Sequence, residues 1–289
     1  MKKILVVGDS MRDISLNCEV SRISPEAPIV IYDLLSQRKN PGGAANVAAN
    51  IQAMGGDVTL LTCLASGAHL PPGMIASIIP VSQTTIKTRV FVDGVMRARI
   101  DDDYFLTEAE SDLVGERFLD MFNAFDVIVF SDYGKGALRN VKDMLAHAHN
   151  KITIVDPKGT NWERYAHADV IKGNYSEVNA VTSNPRYLAR QLNVEYIIQT
   201  AGAAGSTKFS GFGLEDEQIK PIPVQCVDPT GAGDSYLAAM AVALSEGETF
   251  STAAQWGSAA GALAVSKLGT AVVTRKDLDQ CLKAYSTVM

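Results

Sequence analysis

Short apolar runs rich in β-branched residues alternate along this chain with longer amphipathic or small-residue stretches, and that rhythm limits the fold more than any other feature. Strands are expected over residues 4–7, 58–62, 127–131, 152–156, 170–172 and 196–200. Helices are expected over 44–54, 108–122, 141–149, 176–181, 185–192, 235–245, 251–266 and 276–285. A strand that is apolar throughout is buried on both faces, and such strands between helices belong to a parallel sheet covered on each side. The expected fold class is therefore α/β, a doubly wound, mostly parallel sheet with helices on both faces. No linker, repeat or low-complexity tract interrupts the 289 residues, which predicts one domain over 1–289.

Two stretches break the rhythm. Residues 29–35 are extended with no helix after them. Residues 84–92 and 95–100 flank Asp93-Gly94, a pair suited to a hairpin turn. These segments predict a small β lid, built from about 13–35 and 84–101, standing off the main sheet. Exposed lid strands offer edges that pair, so a homodimer through the lid is expected.

Composition excludes several classes of function. The 47% hydrophobic content suffices for a large core. A formal net charge of −6 argues against a nucleic-acid partner, which would need a basic stripe, but leaves room for small anionic ligands. No window approaches eighteen continuous apolar residues, so no membrane span is expected. Met1-Lys2-Lys3 before Ile4-Leu5-Val6-Val7-Gly8 lacks the long apolar region of a secretion signal and reads as the lead into a buried strand. Cys18, Cys63, Cys226 and Cys281 form no CxxC pair and predict free thiols in a reducing cytoplasm. The histidines show no metal spacing; His147 and His149 would face different sides of a helix.

Chemistry concentrates in a few motifs. Asp228-Pro229-Thr230-Gly231-Ala232-Gly233-Asp234 precedes a helical run. The nearly bare backbone of Gly231, Ala232 and Gly233 can converge on a phosphoryl group, helped by the helix dipole. Asp234 beside it can take the proton of an attacking hydroxyl. Asn40-Pro41-Gly42-Gly43-Ala44-Ala45-Asn46 leads into a helix of alanines, and Asn46 in its first turn suits a sugar hydroxyl. In Gly8-Asp9-Ser10-Met11-Arg12-Asp13, after the first strand, Asp9 is assigned to structure and Asp13 to a sugar contact, at a strand end where open α/β sheets bind ligands. Asn174-Tyr175-Ser176-Glu177 and Thr200-Ala201-Gly202-Ala203-Ala204-Gly205 each follow an expected strand and lead toward Asp234. The first is also a helix-capping arrangement, and the second could be a hairpin.

Gly42-Gly43-Ala44-Ala45-Asn46 and Asp228 through Asp234 resemble the two signatures of the ribokinase-like (PfkB) carbohydrate kinases, a likeness that covers nearly the whole chain. Ser21 through Pro28, Ser131-Asp132-Tyr133-Gly134-Lys135-Gly136, Asp156 through Thr160 and Lys267-Leu268-Gly269-Thr270 resemble the branch that acts on D-glycero-β-D-manno-heptose 7-phosphate. The resemblance implies a ribokinase-like fold and ATP-dependent phosphorylation of the anomeric C1 hydroxyl, on the route to ADP-heptose and lipopolysaccharide core. It also implies that the nucleotidyltransferase fused to many relatives would here be another protein.

By the same resemblance, Asp234 matches the base, and Gly231, Ala232 and Gly233 match the anion hole. Asn174 and Glu177 match the pair that places Mg2+ and the phosphates, with Glu177 reaching the metal through water. Thr200, Gly202, Gly205 and Lys158 match the ATP side. Asp13, Gly42, Gly43 and Asn46 match the sugar side. Lys87 and Arg89 on the lid hairpin are placed to meet the substrate's 7-phosphate, or are a solvated strand edge. Asp228 and Thr230 match positions that bind a monovalent cation, K+, in some relatives. The sequence departs from the pattern after Leu61-Thr62-Cys63-Leu64. There Ala65 through Gly73 replaces a Gly-x-Asp loop and a full helix, and Ser258 stands where the heptose branch has Asn. The alternatives are a kinase of the same family for ribose, fructose or fructose 6-phosphate, and a non-catalytic sugar- or nucleotide-binding relative.

Overall fold

Strand β1 (Ile4–Gly8) shows the organising rule, because every one of its residues is buried. Ile4 and Val6 point into one core and Leu5 and Val7 into another, on opposite faces of the sheet. The structure, a computed structural model, describes residues 2–67, 70–213, 215–267 and 269–286. Ala68 and His69 of the divergent segment, and Leu268 of the Lys267–Thr270 motif, lie outside the described residues.

In chain order β1 is followed by β2 (Ser10–Ile23), β3 (Val30–Gly43), α1 (Ala44–Ala53), β4 (Val58–Ala65), β5 (Ile75–Val81), β6 (Ile86–Val92), β7 (Val95–Asp102), α2 (Glu108–Met121) and β8 (Val127–Ser131). Then come α3 (Val141–His147), β9 (Ile152–Asp156), β10 (Val170–Asn174), α4 (Tyr175–Val181), α5 (Pro185–Leu192), β11 (Tyr196–Thr200), β12 (Ser206–Ser210), β13 (Glu217–Ile219), α6 (Ala232–Ser245), α7 (Phe250–Val265) and α8 (Arg275–Ser286). Among the described residues the main sheet has the order β13-β12-β11-β10-β9-β8-β1-β4-β5. It is parallel from β5 to β11, and β12 and β13 add an antiparallel edge. Helices α1, α6, α7 and α8 cover one face, and α2, α3, α4 and α5 the other. The doubly wound α/β class expected from the sequence is the one observed. None of the helices is long and apolar enough to cross a membrane, among the described residues.

The lid is larger than expected. β3, β2, β6 and β7 form a separate four-stranded sheet. β2 begins at Ser10 and β3 runs to Gly43, beyond the 13–35 expected, while β6 and β7 match the hairpin expected over about 84–101. Gly42 and Gly43 are thus the last residues of a strand, not a loop. Their polar neighbours hid the strand: in a lid open on one face, alternation is a weaker signal than a continuous apolar run. On the lid's inner face Asp13 lies opposite Asn40 and Lys87, and Ser15 opposite Arg38 and Arg89. Arg89 in turn lies opposite Arg99, and Lys87 opposite Asp101. Leu16, Cys18, Val90 and Val92 pack on the other face.

The divergent segment has a definite outcome. β5 lies beside β4 as a parallel edge strand, joined to it by residues 66–74 with no helix among those described. The helix missing from the sequence pattern is replaced by a short link, and Ile75 and Ile78 stay exposed.

One carboxylate fixes the C-terminal end of β1. Asp9 is buried and accepts the amides of Tyr133, Lys135 and Ala137 at 2.9, 3.0 and 2.9 Å. Its carbonyl accepts the amide of Ala44 at 3.0 Å, where α1 begins. Gly43 makes that junction possible. Its φ of 60° and ψ of −135° suit only glycine, and a Cβ there would strike the Asp9 carbonyl. Gly43→Ala is expected to cost about 2–5 kcal/mol of stability, from backbone strain plus overpacking. Urea denaturation measures this, and a loss below about 0.5 kcal/mol would contradict the assignment.

Candidate active site

Helix α6 starts earlier than the sequence suggested, and the difference places the key carboxylate. Gly231, with φ 80°, is its N-cap, Ala232 its first residue and Asp234 its third. Asp234 therefore lies inside the first helical turn rather than closing a turn before it. The three-amide cradle is modified too: Ala232 donates its amide to the Pro229 carbonyl at 3.3 Å. The amides of Gly233 and Asp234 are the first-turn donors that helix geometry leaves without an intrahelical acceptor.

Asp234 is 4% exposed. Tyr133 donates its hydroxyl to Oδ1 at 2.6 Å, and Asn46 donates Nδ2 to Oδ2 at 2.8 Å. Burial pushes the Asp234 carboxyl up to about 6, against the lowering effect of the two donors. Asn46 is fully buried on α1, and its Oδ1 accepts Asn50 Nδ2 at 3.2 Å. Asn50 Oδ1 accepts Ser235 Oγ at 3.3 Å and the Val273 amide at 2.9 Å. Asn46, expected at the sugar, turns its side-chain amide to the Asp234 carboxylate.

A buried ion pair lies beside the same helix start. Lys172 on β10, 4% exposed, donates to Asp156 of β9 at 2.9 Å. Its Nζ lies 3.1 Å from where a side chain on Gly233 would begin. Burial disfavours the ammonium, but Asp156, Glu177 and Asp234 outweigh it and hold Lys172 cationic. Buried pairs seldom stabilise a fold on balance. A lysine held here is better explained by its position against the bare amide of Gly233. Lys158 follows β9 and packs its chain near Gly134.

Thr200, Gly202 and Gly205 line one cavity of about 500 Å³ with Gly233, Tyr236 and Ser258 among others, whereas Lys158, Asn174 and Glu177 do not line it. Its apolar walls and its opening onto Gly233 suit a base and sugar leading to phosphates. The Thr200–Gly205 stretch is a 3-10 turn leading into the antiparallel strand β12. Asn174 and Glu177 form the capping box of α4: the Glu177 amide donates to Asn174 Oδ1 at 2.9 Å and the Asn174 amide to Glu177 Oε2 at 2.8 Å. The bland reading of this motif thus holds, and the second carboxylate oxygen of Glu177 is what remains for a metal-bound water. Among the described residues no three His, Cys, Asp or Glu side chains cluster closely enough to hold a metal unaided. A divalent ion here fits only when phosphate oxygens complete its shell, as Mg2+ commonly requires.

On the sugar side, Arg89 Nη1 meets Asp13 Oδ1 at 2.6 Å. Arg89 thus orients Asp13 with one of its five donors. Asp13 Oδ2 lies 2.5 Å from where a Gly42 side chain would start, so Gly42 must be bare. Lys87 is half-buried, and burial with nearby Arg99 lowers its pKa. Asp228, a candidate cation ligand, accepts the amides of Thr230 and Gly269, each at 2.9 Å. It ties two loops together beside α6. Thr270 Oγ1, in the second loop, is a buried oxygen with no hydrogen-bond partner among the described residues, the kind of ligand atom a cation would use.

Residues 83–277 match the model of the pfkB family carbohydrate kinases. The chain belongs to the PfkB family. The D-beta-D-heptose 7-phosphate kinase of Bordetella bronchiseptica is 32% identical over 96% of this chain and 95% of its own length. The bifunctional protein HldE of Photorhabdus laumondii is 31% identical over 97% of this chain, which spans 64% of that protein. Among solved structures, Escherichia coli phosphofructokinase-2 superposes with a TM-score of 0.81 at 19% identity, covering 99% of this chain and 100% of that one. Thermotoga maritima ribokinase superposes with a TM-score of 0.79 at 24% identity, covering 98% and 100%. These two show the shared fold. Kinases of this family use ATP and a divalent metal.

The structure thus joins Asp234, Gly233 and Asn46 around one point, and Thr200, Gly202 and Gly205 around a neighbouring cavity. Sequence reasoning missed Lys172, Asp156, Asn50 and the role of Tyr133. Lys172 was detectable in principle, since a lysine inside an apolar parallel strand demands a buried partner. In PfkB chemistry the base must be ionised, so turnover is expected to fall below about pH 6 as Asp234 protonates. Asn46→Ala strips one donor from Asp234 and leaves Asn50 short of a partner. It is expected to cost about 1–3 kcal/mol and to move the acid limb of the pH–rate profile upward. A limb unchanged from the wild type would contradict the pairing.

Proposed function

We propose that this kinase phosphorylates the anomeric C1 hydroxyl of D-glycero-β-D-manno-heptose 7-phosphate, with residues 1–289 acting as one kinase unit. The observation that carries the acceptor is the inner lid face. Arg38, Lys87, Arg89 and Arg99 stand there with Asp13 and Asp101, which pair with Arg89 and Arg99, and with Asp103 near Lys87. Such a face favours a sugar that already bears a phosphate. The 32% identity to the Bordetella heptose 7-phosphate kinase supports the same substrate.

The roles follow from position. Asp234 accepts the proton of the acceptor hydroxyl. The Gly233 amide and Lys172, both at the start of α6, offset negative charge on the group being transferred. Thr200, Gly202, Gly205 and Lys158 hold the nucleotide, and Glu177 meets Mg2+ through water. ATP with Mg2+ supplies the phosphoryl group. Asp13 and Gly42 hold the sugar, with Asp13 oriented by Arg89. Lys87 takes the 7-phosphate. Asp228, Thr230 and Thr270 bind K+. Exposed Val20, Ile23, Tyr32, Leu34 and Leu35 on the lid support a homodimer through it, in a cytoplasmic setting.

Three experiments test this reading. ADP release with heptose 7-phosphate should exceed that with fructose, ribose or fructose 6-phosphate, and a preference for any of these would overturn the acceptor. Asp234→Asn should cut kcat by about 10³-fold or more with ATP affinity nearly unchanged; retained turnover removes Asp234 as base. Lys87→Met should raise KM for the phosphorylated sugar about 10-fold or more, and an unchanged KM would place the phosphate elsewhere.

A further inference from the structure

The site contains a contact that the functional reading leaves unused. We propose that Tyr133 is a positioning residue for the reaction, its hydroxyl holding the Asp234 carboxylate in the orientation from which it takes the acceptor proton. The inference rests on Asp234 being the base.

The geometry is over-determined. The Tyr133 amide donates to Asp9 Oδ2 at 2.9 Å, and the Gly134 amide donates to Asp132 Oδ1 at 2.7 Å. Lys135 and Ala137 bind Asp9 in the same way. The ring lies 3.4 Å from where a side chain on Gly43 would begin, so it is packed against the end of β3. A phenol anchored at its backbone and along its ring arrives at one place. Its oxygen lies 2.6 Å from Asp234 Oδ1, within the short range of charge-assisted O–H donors.

A carboxylate on a helix can rotate about its last bond. Here Oδ1 is held from the loop after β8 and Oδ2 from α1 by Asn46, so rotation would break two bonds on separate elements. Each oxygen keeps a second lone pair, which is what a general base needs. The phenol is suited to the task because it stays protonated. Burial, then Asp234 and Asp156, push it well above the usual tyrosine range. It therefore remains a donor across the working range of the enzyme and does not compete as a base.

Other groups facing Asp234 are Asp156 on β9 and Lys172 on β10. Asp13 of β2 acts on Tyr133, Lys158 on Asp156, and Glu177 of α4 on both members of the ion pair. None of them supplies a neutral donor to Oδ1. Tyr133→Phe removes that donor alone, since every bond to Asp9 and Asp132 in this loop uses backbone amides.

The test is the pH–rate profile of Tyr133→Phe beside wild type and Asp234→Asn, with thermal unfolding recorded for each. The expected result is an acid limb displaced upward by about one pH unit and kcat reduced about 10-fold below neutrality. KM for the sugar should change less than about twofold, because a positioning residue acts on the base and not on substrate affinity. Tyr133→Met, which also lacks the hydroxyl, gives the same comparison if the phenylalanine variant does not fold. A variant profile superimposable on wild type overturns the proposal. So does a raised KM with the limb and kcat unchanged, which would make Tyr133 a substrate contact. An inactive Asp234→Asn beside an unaltered Tyr133→Phe refutes Tyr133 alone. An active Asp234→Asn refutes the base itself.

Discussion

The buried carboxylate of Asp9 is the interaction on which the rest of the site depends. It gathers three amides from the loop after β8, and its own carbonyl receives the first amide of α1. Two elements that converge on Asp234, the loop carrying Tyr133 and the helix carrying Asn46, are thus referenced to the end of one strand. Burial pushes the Asp9 carboxyl up to about 6, with nearby Asp132 adding to the shift, and the three amides oppose it. Its charge is costly and is retained by donors of fixed geometry, which is why it serves as an anchor and not as a reactive group.

The same trade governs the reacting centre. Asp234, Asp156 and Lys172 are all withdrawn from water at the carboxyl ends of the strands or at a helix start. In such surroundings charges act strongly on one another and solvent does little to blunt them. Two carboxylates close together would repel, and the Lys172 ammonium offsets them. The Lys172 ammonium also lies against the bare backbone of Gly233 at the start of α6.

Much of the main sheet was legible in the sequence because its strands are apolar on both faces, as at Val127–Ser131 and Ile152–Asp156. Pro185–Leu192 was legible to the residue, with Asn184 capping and proline at the first turn. Of the lid, the β6–β7 hairpin was legible from Asp93-Gly94, but the full extent of Ser10–Ile23 and Val30–Gly43 was not, since these strands are polar, bulged and exposed at their tips. Of the site, Asp234 and the Gly231–Gly233 backbone were readable as a local signature. Asn46 was found, but its partner was not, because that bond spans 188 residues of chain. Arg89 was read as a phosphate contact or a solvated strand edge, and nothing in its own strand reveals its pairing with Asp13. Sequence patterns report local periodicity, whereas pairing between distant side chains is decided only by topology.

That separation along the chain has a consequence for how the molecule is assembled. The lid hairpin of β2 and β3 closes locally, and β4 and β5 follow at once. β1 must wait for β8 before its second edge is paired. Tyr133 and Asp234 are separated by 101 residues, and both must be in place before their hydrogen bond can form. Contacts of such long loop closure form late, after local structure is established. A chain emerging from synthesis therefore has a formed lid long before it has a working centre. Catalytic competence is the last property acquired, and it reports on completion of the whole fold.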